Sequence, residues 1–187
     1  AGFAGPVAEV AMGAGAGQPA IDALARVGLE VGRPLRPMLA ASAPAVADAI
    51  DGTSPVAVET TVDGIRLQAH LDAGDVRLFT RTLEEVSARM PEGVAAVRAL
   101  PARRAVLDGE VIALAPDGRP EPFQVTGART ASTGDPAALQ TRVPLTTFLF
   151  DLLHMDGTDL VDRPARERWS VLEQLAPHLL VRRAVTD

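Results

Sequence analysis

"DGIRLQAHLDAGDVRLFTR", residues 63–81, is the stretch that decides the architecture. Ile65, Leu67, Ala69 and Leu71 recur at every second position, with Arg66, Gln68 and His70 between them. A period of two puts the first set on one face of a strand and the second on the other. "DAGD" (72–75) is a hairpin turn, and Val76–Arg81 returns as the partner strand.

Upstream, "AVETTV" (57–62) extends into the Asp63-Gly64 step. "DGTSP" (51–55) breaks a short helix in which Ser42 is the cap, Pro44 sits in the first turn, and Val46 and Ile50 face inward. "GRPLRPMLA" (32–40) is an extended strap, because proline fixes φ and disfavours helix before it. Ile21, Leu24 and Val27 have helical spacing within Ile21–Glu30, and residues 1–20 are small, Gly/Ala-rich and loose.

Downstream, Thr82 and Glu85 form a capping box that opens a helix carrying Leu83, Val86 and Met90, interrupted by Pro91. A second helix, "EGVAAVRAL", ends near Leu100, and "AVLDGEVIAL" (105–114) is a buried strand. "FQVTGART" is a short helix, and "ASTGDPAALQTR" (131–142) is a mobile loop. "LTTFLFDLLHMDG" (145–157) is a strand ending in an Asp-Gly turn, answered by "DLV". Pro164 starts a helix with Trp169, Leu172 and Leu175 inward, and "HLLVRR" is a last strand. Hairpins with interposed helices give an antiparallel-rich α+β domain.

The 187 residues suit one domain, or one domain plus a fragment of another, and 47% apolar content supports a real core. No run reaches the roughly 18 apolar residues of a membrane span. The N-terminus has no signal-peptide pattern and does not begin with Met, as in a piece of a longer chain. A cytoplasmic location is the default expectation. Cysteine is absent, which excludes disulfide and thiolate chemistry. A net charge of −6 argues against a free-standing nucleic-acid binder. All 18 basic residues are Arg, so no lysyl Schiff base or lysyl phosphoramidate can form.

Charges interrupt otherwise apolar strands at Glu59, Asp63 and Arg66, at Asp108-Gly109-Glu110, and at Phe150-Asp151. A buried charge is costly unless paired, so these groups mark either structural ion pairs or a polar cleft. On pattern alone the two readings balance. His154, beside a turn and with no second His or Cys near it, reads as a structural or surface residue.

The ordered set "ETTVDGIR", "FTRTLEEVSARMP", "LDGEVIAL", "PFQVTGAR", "FLFDLLHMDG" and "RPARERWSVLEQL" resembles the adenylation (nucleotidyltransferase) domain of ATP-dependent DNA ligases, in the bacterial form that carries an N-terminal DNA-binding domain. One such motif is weak, whereas six in order are specific. The resemblance runs from about Ile21 to the C-terminus. It implies an ATP-grasp-like α+β fold of twisted antiparallel sheets with flanking helices, cut short at the C-terminus. Residues 1–32 would be a loose segment and the end of a DNA-binding domain, and residues 33–187 a partial adenylation domain. The implied chemistry is nick sealing in duplex DNA during repair, replication and recombination, through enzyme–AMP and DNA–AMP, with ATP and Mg²⁺ or Mn²⁺.

Position by position, the resemblance puts Thr61 where the family has its nucleophilic lysine. Asp63 and Gly64 form the following turn. Glu59 falls on the adenine side, and Arg66 at the ribose or phosphate. Arg81 matches the residue that holds the nick 5′-phosphate. Glu110 matches an acid that bonds the ribose and assists the metal, Phe150 an aromatic stacked on adenine, and Arg129 an arginine near the nucleotide. A threonine hydroxyl is a poor nucleophile without a base. The expectation is therefore a ligase domain without self-adenylylation. The alternatives are a non-catalytic nucleotide-binding or interaction module descended from a ligase, and a purely structural α+β domain.

Overall fold

The computed structural model describes Asp22, residues 28–50 and residues 55–186. Most of the helix expected over Ile21–Glu30 lies outside the described residues, as does the loose segment 1–20; residues 28–30 are not helical. In chain order the elements are α1 (Val46–Ile50), β1 (Val56–Glu59), β2 (Ile65–Asp72) and β3 (Asp75–Thr80), then a single 3₁₀ turn (Ser87–Arg89) and α2 (Pro91–Arg98). They continue with β4 (Arg104–Ala113), α3 (Phe123–Ala131), α4 (Pro136–Arg142), β5 (Leu145–Met155), β6 (Thr158–Asp159), α5 (Ala165–Leu175) and β7 (Arg183–Thr186).

The opening hairpin forms as its period requires, with Leu71 opposite Val76 and Leu67 opposite Thr80. It is one edge of a five-stranded antiparallel sheet of order β3-β2-β4-β5-β6. One face of this sheet buries Leu67, Leu71, Leu78 and Leu149 against Val97 of α2 and Leu172 of α5. The other face carries a smaller cluster in which Leu35 of the strap meets Val106 and Leu153. β4 is therefore buried along nearly its whole length, which is why its sequence is almost continuously apolar. A separate two-stranded ribbon pairs β1 with β7. No helix among the described residues is long and apolar enough to cross a membrane.

Several local expectations are corrected. α1 buries nothing: Val46 is 77% exposed, so the inward face expected for Val46 and Ile50 is not used. Thr82 and Glu85 do not cap a helix. Thr82 bonds the Thr80 hydroxyl, Glu85 accepts from Ser87 Oγ, and Glu85 bridges back to Phe79. The segment thus continues the β3 ladder, and Val86 donates its N–H to Leu78 O (2.8 Å). Pro91 does not interrupt a helix but begins α2, where its missing N–H costs nothing. The expected mobile loop 131–142 holds α4, because both Asp135 carboxylate oxygens accept from the Ala137 and Ala138 N–H groups and Pro136 follows the cap. "HLLVRR" is not a regular strand: β7 begins at Arg183, and only Leu180 bridges to Leu149 before it.

Candidate functional site

Two glycines let strands carrying charged side chains approach one another. A Cβ on Gly64 would lie 2.4 Å from Val111 O, and one on Gly109 would lie 2.4 Å from Phe148 O. Real Cβ atoms do not tolerate such contacts, so both positions require the bare backbone. Gly64 thereby seats the start of β2 on the end of β4, with Arg66 directly opposite Glu110 and Gln68 opposite Asp108. Register shifts between β4 and β5 fall beside Asp108, which pairs with Asp151. Such shifts turn a side chain relative to the regular pleat.

The resulting row of charges is internally matched. Arg66 Nη2 donates to Asp108 Oδ2 (2.6 Å), and Gln68 Nε2 donates to Asp108 Oδ1 (3.0 Å). Arg168 clasps Asp151 with two hydrogen bonds of 2.8 Å each. The Arg66 guanidinium carbon lies 5.2 Å from the centre of the Phe150 ring, within reach of a cation–π contact. Burial pushes the Asp108 carboxyl above its usual range, with Arg66 and Gln68 opposing and Asp151 adding to the rise. Burial likewise raises Glu110, against the pull of Arg66 and with the help of Asp63. Asp63 and Glu110 are thus electrostatic neighbours.

A cleft of about 550 Å³ opens beside this row. Gly64, Arg66 and Glu110 line one side, Arg81 and Thr82 come from the end of the hairpin, and Thr130 comes from α3. Arg81 is exposed and has no hydrogen-bonded or ionic partner among the described residues; the Glu110 carboxylate likewise accepts no hydrogen bond. Glu59, Thr61, Asp63, Phe150 and Arg129 do not line the cleft.

Thr61 and Asp63 lie exposed in the connection between β1 and β2. Glu59 is occupied: its carboxylate accepts from Arg183 Nε (2.5 Å) and Nη2. Arg183 also donates to Phe150 O (2.8 Å) and sits 3.7 Å over the Trp169 ring. Trp169, expected in the core, is half-buried beneath that guanidinium. Arg129 is turned away from the cleft. Its guanidinium donates to the carbonyls of Val143 and Arg89 and to Glu92 (3.0 Å), so each of its three nitrogens is engaged within the protein. His154 is buried and bonded to Asp159 (2.6 Å), a structural pair.

Sequence reasoning missed three participants. Asp108 appeared only as a strand charge, Arg168 sits on a helix with other exposed arginines, and Gln68 looked like the polar side of a hairpin. Period two places Gln68 with Arg66 on one face; nothing in the sequence says that this face is covered.

The chain matches the ATP dependent DNA ligase domain over residues 37–183. It is 49% identical, across its whole length, to a probable DNA ligase of Beutenbergia cavernae, of which it spans 37%. A probable DNA ligase of Streptomyces griseus subsp. griseus is 52% identical over 87% of the chain, which spans 32% of that relative. Among solved structures, the ligase domain of LigD from M. tuberculosis is similar with a TM-score of 0.54 at 26% identity, over 70% of this chain and 40% of that one. The chain covers only about a third of its curated relatives, and the family match over residues 37–183 together with these identities shows where it belongs: it is a member of the ATP-dependent DNA ligase family, as part of the adenylation domain.

Proposed function

We propose that this chain is the ATP-binding part of a DNA ligase whose covalent step is disabled at Thr61. The observation that carries the reading is the meeting of Gly64, Arg66, Glu110 and Arg81 at one cleft. Nucleotidyl transfer to an amine needs a nucleophile in line with the α-phosphorus and cations to take up phosphate charge. Arg66 is the cation fixed in place, held by Asp108 and backed by Phe150. Arg81 is the unengaged cation on the rim, suited to the 5′-phosphate of nicked duplex DNA. Glu110 is the ribose contact within the cleft, whereas Phe150, the platform for adenine, and Thr61, ahead of the Asp63-Gly64 turn, stand outside its lining and would meet the nucleotide from beyond it. Glu59, on the adenine side, acts while paired with Arg183. Arg129 serves the site only through the scaffold. Residues 33–187 then form the partial adenylation domain and residues 1–32 the end of a preceding DNA-binding domain, in a cytoplasmic enzyme.

The family chemistry also calls for Mg²⁺ or Mn²⁺. Among the described residues no three His, Asp or Glu side chains form a cage. Glu110 offers one carboxylate in the cleft, and Asp63, outside its lining, a second within electrostatic reach. That donor set fits a metal held by one or two carboxylates and by the phosphates of the nucleotide. When bound, the metal would neutralise phosphate charge.

A second reading is a non-catalytic nucleotide-binding module descended from a ligase. It is favoured by the hydroxyl at Thr61 in a chain without any side-chain amine. Incubation with α-labelled ATP and Mg²⁺ separates the two. No label is expected on the chain itself. Label on the Thr61→Lys variant identifies a disabled ligase site, whereas ATP binding without label in that variant identifies the module. Absence of both calorimetric heat and a thermal shift with ATP would remove the nucleotide site altogether.

A further inference from the structure

The strap, through Gly32 and Leu35, and the guanidinium of Arg66 lie at opposite ends of one continuous hydrogen-bonded chain. Gly32 N–H donates to His70 Nδ1 (2.8 Å). That nitrogen therefore carries no proton, and the imidazole proton resides on Nε2, 3.0 Å from Gln68 Oε1. The same Gln68 oxygen accepts from Leu35 N–H (2.7 Å). Gln68 Nε2 donates to Leu35 O (3.4 Å) and to Asp108 Oδ1 (3.0 Å). Asp108 Oδ2 receives Arg66 (2.6 Å). Both lone pairs and both protons of the Gln68 amide are thus engaged. Rotating it by half a turn would set N–H against N–H at Leu35 and at His70.

We propose that His70, Gln68 and Asp108 are positioning residues through which the docked strap sets the guanidinium of Arg66 in the cleft. The inference rests on the nucleotide reading only for what Arg66 does; the coupling itself belongs to the folded chain. Arg66 has two carboxylates within electrostatic reach, Asp108 and Glu110. The buried Asp108 can hold Arg66 as a carboxylate only while Gln68 serves its other oxygen. The direction of the Gln68 amide is in turn dictated by the strap. With the strap undocked, the amide loses Leu35, His70 loses Gly32, and the guanidinium is released toward Glu110. Coupling is reciprocal, so a change at Arg66 must be felt at the strap.

Amide hydrogen exchange on the whole chain tests this, reading Gly32 and Leu35 against the amides of Leu107 and Val111 in β4 as a control for global opening. Arg66 makes no hydrogen bond or ion pair with Gly32 or Leu35, so a merely structural role for Gln68 and His70 leaves those two amides indifferent to it. The relay requires Arg66→Met to speed exchange at Gly32 and Leu35 by about fivefold or more while the control amides stay protected. Unchanged strap exchange in that variant overturns the proposal, whether or not ATP binds. A second arm uses ATP with Mg²⁺. Binding that slows strap exchange in the native chain, with the slowing lost in Gln68→Met, supports the relay. Calorimetric binding with no response at the strap overturns it. Absence of binding defeats the nucleotide reading and leaves the Arg66→Met arm to decide the relay.

Discussion

His70 is a titratable ring with almost no access to water. Burial, reinforced by the charge on Arg77, lowers its pKa from 6.5 to about 4. An unfolded chain binds a proton to this ring between those two values and the folded chain does not. Stability contributed by neutral His70 is therefore complete above about pH 6.5 and is lost as the pH falls toward 4. The full effect is on the order of 3 kcal/mol. Asp108 and Glu110, raised by burial, bind protons more readily when folded and oppose the trend near the acid end. The slope is cleanest from about pH 5 to 6.5, and urea titrations across that window should show it flatten in His70→Phe. Gly109 gives a pH-independent counterpart. Its missing Cβ is replaced by Phe148 O and the Leu149 side chain. Gly109→Ala should cost about 2–3 kcal/mol, read as a fall in the urea midpoint.

At the scale of elements, the Arg129–Glu92 pair joins α3 to α2. Both side chains are nearly inaccessible, and Glu92 also accepts from Leu145 N–H (3.0 Å) at the start of β5. Breaking a buried pair from one side leaves an uncompensated charge and costs about 3–5 kcal/mol. Arg129→Met should lower the urea midpoint accordingly, while ATP affinity of the fraction that remains folded stays the same. A large loss of affinity with unchanged stability would instead return Arg129 to the nucleotide. The elements themselves were unevenly legible. β2 and β3 could be read because one period and one turn specify them. α3 could be read because "FQVTGART" spans a single short run. The Thr82–Glu85 box failed because a local helix signal competed with backbone pairing to β3, a tertiary interaction that outweighs it. α4 was not legible although Asp135-Pro136 is a sound start signal, because the short run around it has a loop-like composition and little apolar period. Within the site, residues named by motif order were found at the cleft only where they lie on β2 or immediately before it, on β4, or at the hairpin end. The partners that hold them, Gln68, Asp108 and Arg168, depend on which face is covered, and coverage comes from segments distant in the sequence.

Among the described residues the molecule is one five-stranded sheet covered on both faces and a separate two-stranded ribbon. The ribbon bears the residues that precede Thr61, and Arg183 is its fastening. This residue grips Glu59, the Phe150 carbonyl and the Trp169 ring together. Arg183→Ala should leave the sheet folded, with the urea midpoint shifted by less than about 1 kcal/mol in equivalent stability, because the pair is partly exposed. It should nevertheless speed amide exchange in β1 and at the adjoining Thr60, whose N–H donates to Arg182 O (2.9 Å). Equal loss of protection in β1 and β4 would contradict this division of the molecule. The ribbon also sets a schedule. Glu59 and Arg183 are 124 residues apart in the chain. A ribosome adding roughly 5–20 residues per second takes roughly 6–25 s to make that stretch. Throughout this interval β1 has no strand to pair with among the described elements, whereas the hairpin that follows it is complete as soon as Thr80 has been added. Thr61, which follows β1, is thus settled only after the strands of the five-stranded sheet have been made.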